Sequence, residues 1–347
     1  MDINENIVGK FQNRNVKSYE LINDYGFRIK VLNFGGVITD IIAPDRNGVY
    51  ENVILRYKDI STYEKNPSYL GAIVGRTAGR ICEGRVEIDG RAIELNRNYG
   101  LHQGHGGNIG FNKRFWNVDK VENKDKVSVR LTYLSPDGEE NYPGNFWAEV
   151  EYEINNAGEL IIRYRVKSDK DTLVNMTNHA YFNLSGNARE DILKHNLRIN
   201  ADYICELDKT QVPTGKLLEV TGTPFDFRLP KEIGKDIECD HDQINIGSGY
   251  DHPWILKKSC GVKVHLYHEA SGRAMDVCTN QKAAVIYTMN FPDDELLNKG
   301  KRARRRDGIC FETQSPPIGR NNAFLKDSIL KKNQLYKRET IFRFYTL

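Results

Sequence analysis

The chain has 347 residues, of which 39% are hydrophobic and 28% are charged, as is usual for a soluble globular protein. Its formal net charge of +3 is too small to indicate a nucleic-acid or membrane partner, and we predict neither. The N-terminus lacks the basic and apolar regions of a secretory signal, and no apolar run approaches the roughly 20 residues that span a bilayer. We therefore predict a soluble, cytoplasmic protein.

Alternation of apolar and polar residues with a period of two is the main pattern along the chain. In chain order, it is clearest in residues 27–31, 148–154, 162–166 and 262–266. A strand with one packed face and one solvated face produces this pattern. Turn sequences such as Asp89-Gly90 and Pro136-Asp137-Gly138 separate the segments, and only residues 59–66 suggest a short helix. The pattern predicts an all-β sandwich or barrel.

The organisation of the chain indicates one unit. No linker-like or low-complexity segment interrupts it, and the candidate catalytic residues extend from residue 80 to residue 312. We therefore predict a single domain covering residues 1–347. The six cysteines form no Cys-x-x-Cys pair, which favours reduced thiols over a disulfide framework or a zinc site. They are Cys82, Cys205, Cys239, Cys260, Cys278 and Cys310.

Two groups of positive charges are candidates for ligand contact. Residues 301–306 read Lys-Arg-Ala-Arg-Arg-Arg, and a solvated loop is the simpler interpretation of this run, with an anion contact as the alternative. Arg76 and Arg80 are four residues apart, which on a strand would place both guanidinium groups on one face. They would be surface arginines or a pair of donors for sugar hydroxyls or an anionic group.

A histidine and a glutamate in polar surroundings give the strongest indication of chemistry. His179 lies among Asn175, Asn178 and Asn183, and Glu312 follows an apolar run. Buried amides and carboxylates need partners, so this pattern indicates an arranged pocket. Histidine and glutamate suit proton exchange near neutral pH, because burial raises a carboxyl pKa. We predict a cofactor-free proton-transfer enzyme; taken singly, each residue could instead be structural.

Two further segments carry candidate binding groups. Residues 98–111 form a glycine-rich loop with His102 and His105, but no third ligand has a recognisable spacing, so we predict no metal site. Glycines that let the backbone approach a ligand are a better explanation of this loop, with one histidine bonding the ligand. Asp251 precedes Pro253 and Trp254, a combination that suits sugar hydroxyls and sugar C–H faces, although a core position is the simpler explanation of the tryptophan.

Together these motifs resemble the aldose 1-epimerases, the galactose mutarotase family, and the resemblance runs almost from end to end. Eight segments match in the family's order: 71–81, 105–107 with 110–111 and Trp116, 142–144, 175–184, 213–215, 223–227, 250–252 and 312–314. The resemblance implies a single-domain, galactose mutarotase-like β-supersandwich. It also implies interconversion of the α and β anomers of free hexoses such as galactose and glucose.

The resemblance further implies the roles of individual residues. Glu312 matches the general base that takes the C1 hydroxyl proton, and His179 matches the general acid that protonates the ring oxygen. His105, Arg80 and Asp251 match residues that hold the sugar hydroxyls; the position before Gly106-Gly107 selects His105 over His102. No cofactor or metal is implied, and the expected partner is a small-molecule sugar, with the chain a monomer or homodimer.

Four positions depart from the family pattern, and two alternative functions stay open. Gly79 stands where many members have Asn, Asn141 replaces a usual Gly, and Ile318-Gly319 replaces a frequent Asp-Ala. A hexose-6-phosphate 1-epimerase would use Arg76, Arg80 or residues 301–306 to hold the phosphate. A catalytically silent carbohydrate-binding module is the alternative from another class, and it would not need both His179 and Glu312.

Overall fold

A computed structural model describes residues 1–347, except for the side chain of Lys299. Most strands belong to three antiparallel sheets, and the α-helix of the described chain is the short segment Asp242–Gly247. The predicted all-β class is confirmed. None of the described helices has the length and apolar character needed to cross a bilayer. All six cysteines are free thiols.

The first sheet is built from the N-terminal residues, and each strand pairs with the next one along the chain. Its five strands are Asp2–Phe11, Arg14–Ile22, Arg28–Leu32, Ile38–Pro44 and Tyr50–Asn52. Gln12 and Asn13 join the first two strands, and both have the positive φ that a tight two-residue hairpin favours.

The second sheet has nine strands and brings the C-terminal strand into its centre. In spatial order the strands are Asn117–Asn123, Lys126–Ser135, Phe146–Asn155, Glu159–Ser168, Tyr336–Thr346, Arg273–Thr279, Val264–Tyr267, Asn196–Ile199 and Lys231–Glu232. The strands predicted by alternation in this sheet are confirmed. Their polar face is not uniformly solvated, however, because Glu151 and Glu153 are buried among arginine and lysine side chains.

The third sheet has six strands and carries most of the candidate site residues. In spatial order its strands are Tyr181–Phe182, Ile309–Gln314, Ala283–Tyr287, Asp251–Leu256, Ala201–Leu207 and Pro213–Glu219. One face packs on the nine-stranded sheet: the centroid of the Phe182 ring lies 5.2 Å from that of Phe342 in the nine-stranded sheet and 5.8 Å from that of Phe311 in its own sheet. Burial of each such ring contributes about 1.5–3 kcal/mol, so this aromatic group stabilises the contact between the sheets.

Short elements complete the structure. Four two-stranded pairs are Ile73–Val74 with Thr177–Asn178, Arg80–Ile81 with Gln103–Gly104, Arg85–Ile88 with Arg91–Glu94, and Thr172–Leu173 with Ile329–Leu330. The 3-10 turns are Ile60–Glu64, Cys82–Gly84, Phe111–Lys113, Glu139–Asn141, Ile233–Lys235, Asn298–Gly300, Arg320–Asn322 and Leu325–Asp327. The short helix predicted at 59–66 is thus a 3-10 turn.

Candidate active site

A cavity of about 190 Å³ lies over the face of the six-stranded sheet that is turned away from the aromatic core. Three neighbouring strands form its floor, and antiparallel register places Pro253, Val285 and Glu312 in one row across them. Asp251 and Tyr287 form the next row. Because directly opposed residues of a sheet point to the same side, register alone brings the two predicted carboxylates to one surface.

Glu312 is the buried carboxylate at the base of this cavity. Every residue of strand Ile309–Gln314 is buried; Phe311 belongs to the main core, whereas its neighbour Glu312 lines the cavity. The Glu312 side chain is 3% exposed, and its Oε2 has no hydrogen-bond partner among the described residues. Burial, reinforced by the negative charge of Asp251 and opposed by Arg80, raises the pKa of Glu312 to about 8.

His179 faces Glu312 from the segment between two short strands. Its backbone N–H donates to the Ala72 carbonyl, and its own carbonyl accepts from the Gly71 N–H, so the main chain fixes its position. The imidazole Nε2 lies 3.5 Å from Glu312 Oε1. Burial disfavours the imidazolium and lowers the pKa of His179 to about 4.

The shifted pKa values of His179 and Glu312 give the pair a defined proton count. Between pH values of about 4 and about 8 the two groups together hold one proton and carry no net charge. Burial is the main cause of both shifts, because it favours the neutral carboxylic acid and the neutral imidazole. A single proton held by two facing groups can be delivered to one substrate atom while another is collected.

The glycine loop brings His105 to the same cavity. Gly106 makes this turn possible: its φ is +91°, and a Cβ there would lie 1.8 Å from the Gly75 carbonyl oxygen. The His105 ring centroid is 5.5 Å from that of His179, and its Nδ1 is buried without a hydrogen-bond partner. Burial lowers the pKa of His105 well below its usual value. His102 lies outside the cavity lining, where its Nδ1 accepts the Glu83 N–H.

Arg80 and Asp251 form a second polar group on the cavity wall. An Arg80 Nη1 lies 3.6 Å from Asp251 Oδ2, and Nη2 donates to Gln211 Oε1 at 2.6 Å. Burial raises the pKa of Asp251, although the charge of Arg80 opposes this shift. The five residues that the sequence singled out for the site therefore line one cavity.

Arg76 does not join Arg80, so the expectation of two arginines on one strand face is wrong. The chain between Ile73–Val74 and Arg80–Ile81 is irregular. The Arg76 side chain is 2% exposed and donates to the Ser135 carbonyl and hydroxyl oxygens and to the Pro143 carbonyl. These contacts make Arg76 a structural cross-link and leave Arg80 to face the cavity.

The basic run 301–306 also lies outside the cavity lining. Lys301 pairs with Asp307 at 2.7 Å, and Arg305 donates to the Ser248 carbonyl. Arg306 is buried and donates to the carbonyls of Ser248 and Thr288. The prediction of a solvated loop is wrong for Arg306, which anchors the segment that precedes Asp251.

Steric crowding explains the glycine at position 79 of this chain. Its φ is +75°, and a Cβ at this position would lie 2.5 Å from the Cγ of Pro317. Gly79 and Pro317 both line the cavity, so they form an apolar wall without a side-chain donor. An asparagine here would require Pro317 to move.

Sequence reasoning missed several residues of the cavity wall. Tyr69, Tyr99 and Gln211 line it: the Tyr69 ring lies 4.9 Å from that of His105, and the Arg80 guanidinium lies 5.6 Å from the Tyr99 ring centroid. No motif in the sequence singles out these residues, and only long-range packing brings them to the cavity. Trp254 is buried in the core, as its simpler interpretation predicted.

One group of the described side chains has the composition of a metal site. His105, His179 and Glu312 each offer one ligand atom, and these atoms lie within 4.8 Å of one another. Two imidazoles and a carboxylate suit a transition metal such as Zn²⁺. The same groups also suit hydrogen bonds to a sugar hydroxyl and a ring oxygen and the transfer of a proton. The expectation of a metal-free site stays a prediction.

Comparison with known proteins agrees with this architecture. The galactose 1-epimerase from Lactobacillus acidophilus NCFM superposes with a TM-score of 0.90 at 32% identity, covering 99% of each chain. Galactose mutarotase of Rattus norvegicus is 36% identical over 332 residues, which are 95% of this chain and 94% of that protein. Aldose 1-epimerase of Escherichia coli (strain K12) is 34% identical over 329 residues, or 93% and 94% of the two chains.

These similarities confirm the predicted galactose mutarotase-like β-sandwich and the predicted enzyme class, an isomerase. The family model for aldose 1-epimerase matches residues 17–343, nearly the whole chain. The chain therefore belongs to the aldose 1-epimerase family.

Proposed function

We propose that this chain interconverts the α and β anomers of free hexoses, galactose and glucose among them, by opening and reclosing the sugar ring. The observation that carries this proposal is the buried His179–Glu312 pair, whose Nε2 and Oε1 atoms are 3.5 Å apart at the cavity. The Glu312 Oε2 has no hydrogen-bond partner in the described chain, so it is free to accept a hydroxyl proton once the proton of the pair lies on His179.

Arg80, Asp251 and His105 hold the sugar in this proposal. Arg80 supplies donors and Asp251 supplies acceptors, while His105 offers a ring nitrogen with no other partner. Pro253, Val285 and Pro317 offer apolar surface against which the C–H groups of the sugar can pack. Binding therefore fixes the ring so that its C1 hydroxyl and ring oxygen face Glu312 and His179.

The chemical step then moves two protons. Glu312 takes the proton of the C1 hydroxyl as the C1–O1 bond becomes a carbonyl and the bond from C1 to the ring oxygen breaks. In the form of the pair that reacts, its single proton has moved from Glu312 to His179 Nε2, and His179 gives this proton to that ring oxygen. Rotation about the C1–C2 bond turns the other face of the aldehyde to the oxygen, and reclosure returns each proton. Each positioned acid or base contributes about 10²–10⁴-fold to the rate.

The cavity favours a free sugar over a phosphorylated one. Arg80 is the only cation among the described residues that line it, and Arg80 already contacts Asp251 and Gln211. A phosphate group needs several strong donors to offset its charge. Arg76 and residues 301–306, the other candidates for a phosphate site, lie elsewhere.

Polarimetry on freshly dissolved α-D-galactose and α-D-glucose tests the proposal, with glucose 6-phosphate as the comparison substrate. We expect acceleration with the free sugars, and a fall to the buffer rate in His179→Asn. The galactose affinity of this variant, measured by calorimetry, should stay within about tenfold of the wild-type value, because the variant loses a proton-transfer group and keeps the binding groups. Much faster turnover of glucose 6-phosphate, or equal losses of binding and activity in the variant, would contradict the proposal.

A further inference from the structure

The two ring nitrogens of His179 have different surroundings. Nε2 faces Glu312 Oε1 at 3.5 Å, whereas Nδ1 lies 3.5 Å from the sulfur of Cys310. A histidine that exchanges a proton at one nitrogen needs a partner at the other, because that partner decides which tautomer is present. At His179 the partner is a buried cysteine that does not line the cavity.

Strand register fixes Cys310 at this place. Cys310 precedes Glu312 by two residues on strand Ile309–Gln314, so both side chains leave the strand on the same face. Its cross-strand partners are Tyr181 on one side and Tyr287 on the other. One strand therefore supplies the contacts to both nitrogens of His179, and their separation is set by the strand's repeat.

We propose that Cys310 is a positioning residue whose sulfur accepts the Nδ1–H of His179, so that Nε2 is the nitrogen that exchanges a proton during anomer interconversion. This inference rests on the proposed function, and it holds whichever of His179 and Glu312 begins the cycle as the acid. The Nδ1 proton stays in place throughout, while Nε2 alternately donates to and accepts from the substrate.

The weakness of sulfur as an acceptor suits this task. A carboxylate at Nδ1 would stabilise the imidazolium and make His179 a poorer acid, whereas a thiol orients the ring with little effect of that kind. Burial raises the pKa of the Cys310 thiol well above its usual value, so the sulfur is neutral. Such a contact keeps a proton on Nδ1 of His179 and does not stabilise the additional proton that Nε2 must give up.

Nitrogen-15 NMR of histidine-labelled protein tests the tautomer directly. The chain has eight histidines, and His179→Asn assigns the signal of interest by its disappearance. We expect wild-type His179 to be the Nδ1–H tautomer at neutral pH. Detection of the Nε2–H tautomer would overturn the proposal, and it would do so even in a protein without measurable epimerase activity.

Variants separate positioning from packing. Cys310→Ala removes the acceptor; we expect a mixed tautomer and a kcat lower by about tenfold, the weight of one hydrogen bond, with little change in KM. Cys310→Ser keeps an acceptor and should retain the Nδ1–H form and more of the activity. Cys205 is a matched control: it is a fully buried cysteine of the same sheet and lies outside the cavity lining.

Cys205→Ala should leave both the His179 tautomer and kcat unchanged. If Cys310→Ala retains the wild-type tautomer and kcat, the proposal is wrong. If the tautomer is as expected but neither free sugar is turned over by the wild type, the positioning contact stands and the proposed function fails. The two conclusions are thus distinguishable.

Discussion

Two glutamates, one in each of the two larger sheets, have nearly the same burial and opposite chemistry. Glu153 of the nine-stranded sheet and Glu312 of the six-stranded sheet are each 3% exposed. Glu153 lies 2.7 Å from Lys126 Nζ and 3.0 Å from Arg163 Nη1. Glu312 faces a histidine and the cavity, and it lies near the negative charge of Asp251.

The difference shows that partners decide what burial does to a carboxylate. Burial alone would raise the pKa of Glu153, but hydrogen bonds from Arg163 and Lys126 outweigh it and lower that pKa. At Glu312 no cation of the described side chains lies as close, and the pKa of Glu312 rises to about 8. The first group is ionised at neutral pH, and the second can exchange a proton near neutral pH.

The largest expected effect on kcat comes from replacing the Glu312 carboxylate with an amide. Glu312→Gln should reduce kcat by about 10²–10⁴-fold, because the amide cannot accept the hydroxyl proton. Glu153→Gln is the matched control and should retain the wild-type kcat, since Glu153 is remote from the cavity lining. Polarimetry with galactose measures both. Similar losses of kcat in the two variants would show that the loss in Glu312→Gln does not arise from proton transfer at the cavity.

The pH dependence of kcat/KM should report the shared proton. Below a pH of about 4 both His179 and Glu312 are protonated and no base is left, whereas above about 8 the pair has lost its proton and no acid is left. We expect a plateau between these values and a decline of about tenfold per pH unit outside it. Polarimetric rates corrected for buffer catalysis measure this profile, and an alkaline limit well below neutrality would contradict the assignment of Glu312.

Glu153→Gln should instead reduce stability. Removing its charge leaves Lys126 without this partner, and we expect a loss of about 1–3 kcal/mol in the free energy of unfolding. Because the folded-state pKa of Glu153 is lowered, its contribution to stability is present above the ordinary glutamate pKa of 4.5 and disappears as pH falls through the folded-state pKa. Urea unfolding at neutral and acidic pH measures the difference between variant and wild type.

The exposed Glu122 provides the control for that measurement. Glu122→Gln lies on the edge strand of the same sheet, and its stability should stay within about 0.5 kcal/mol of the wild type. An equal loss in the two variants would mean that the buried ion pairs of Glu153 contribute no more than a surface charge.

Asp251→Asn should have a smaller effect, through the pKa of Glu312. The negative charge of Asp251 is the second cause of the raised pKa of Glu312, so the neutral amide should lower that pKa and move the alkaline limit of kcat/KM toward neutrality. KM should rise as well, because Asp251 is also a proposed sugar ligand. An alkaline limit that moves upward would show that the two carboxylates do not interact.

The smallest expected effect is that of metal removal. His105, His179 and Glu312 have the composition of a metal site, but the proposed mechanism needs only their proton-exchanging and hydrogen-bonding groups. Dialysis against EDTA should leave kcat unchanged. Inactivation by EDTA that is reversed by Zn²⁺ would replace the proton-transfer assignment of Glu312 with a ligand role.

Short-range patterns were enough to identify the strands and the chemical candidates. Alternation predicted strands Arg28–Leu32, Phe146–Asn155, Glu159–Ser168 and Val264–Tyr267, because side chains of a strand point alternately to its two faces. The resemblance of the eight motifs to a known family identified His179, Glu312, His105, Arg80 and Asp251, and all five line one cavity.

The contacts of each polar residue depend on how distant segments pack in the folded chain. Arg76 and Arg80 have similar local sequence, yet Arg76 is bonded to the Ser135 region and Arg80 faces the cavity. Glu153 and Glu312 cannot be told apart by alternation, because a pKa depends on charges brought close by strand pairing between distant segments. The chain itself determined its strands, its family and its candidate acid–base residues; long-range pairing determined which carboxylate is neutralised by cations and which faces the cavity without one, because residues distant in sequence meet only in the folded chain.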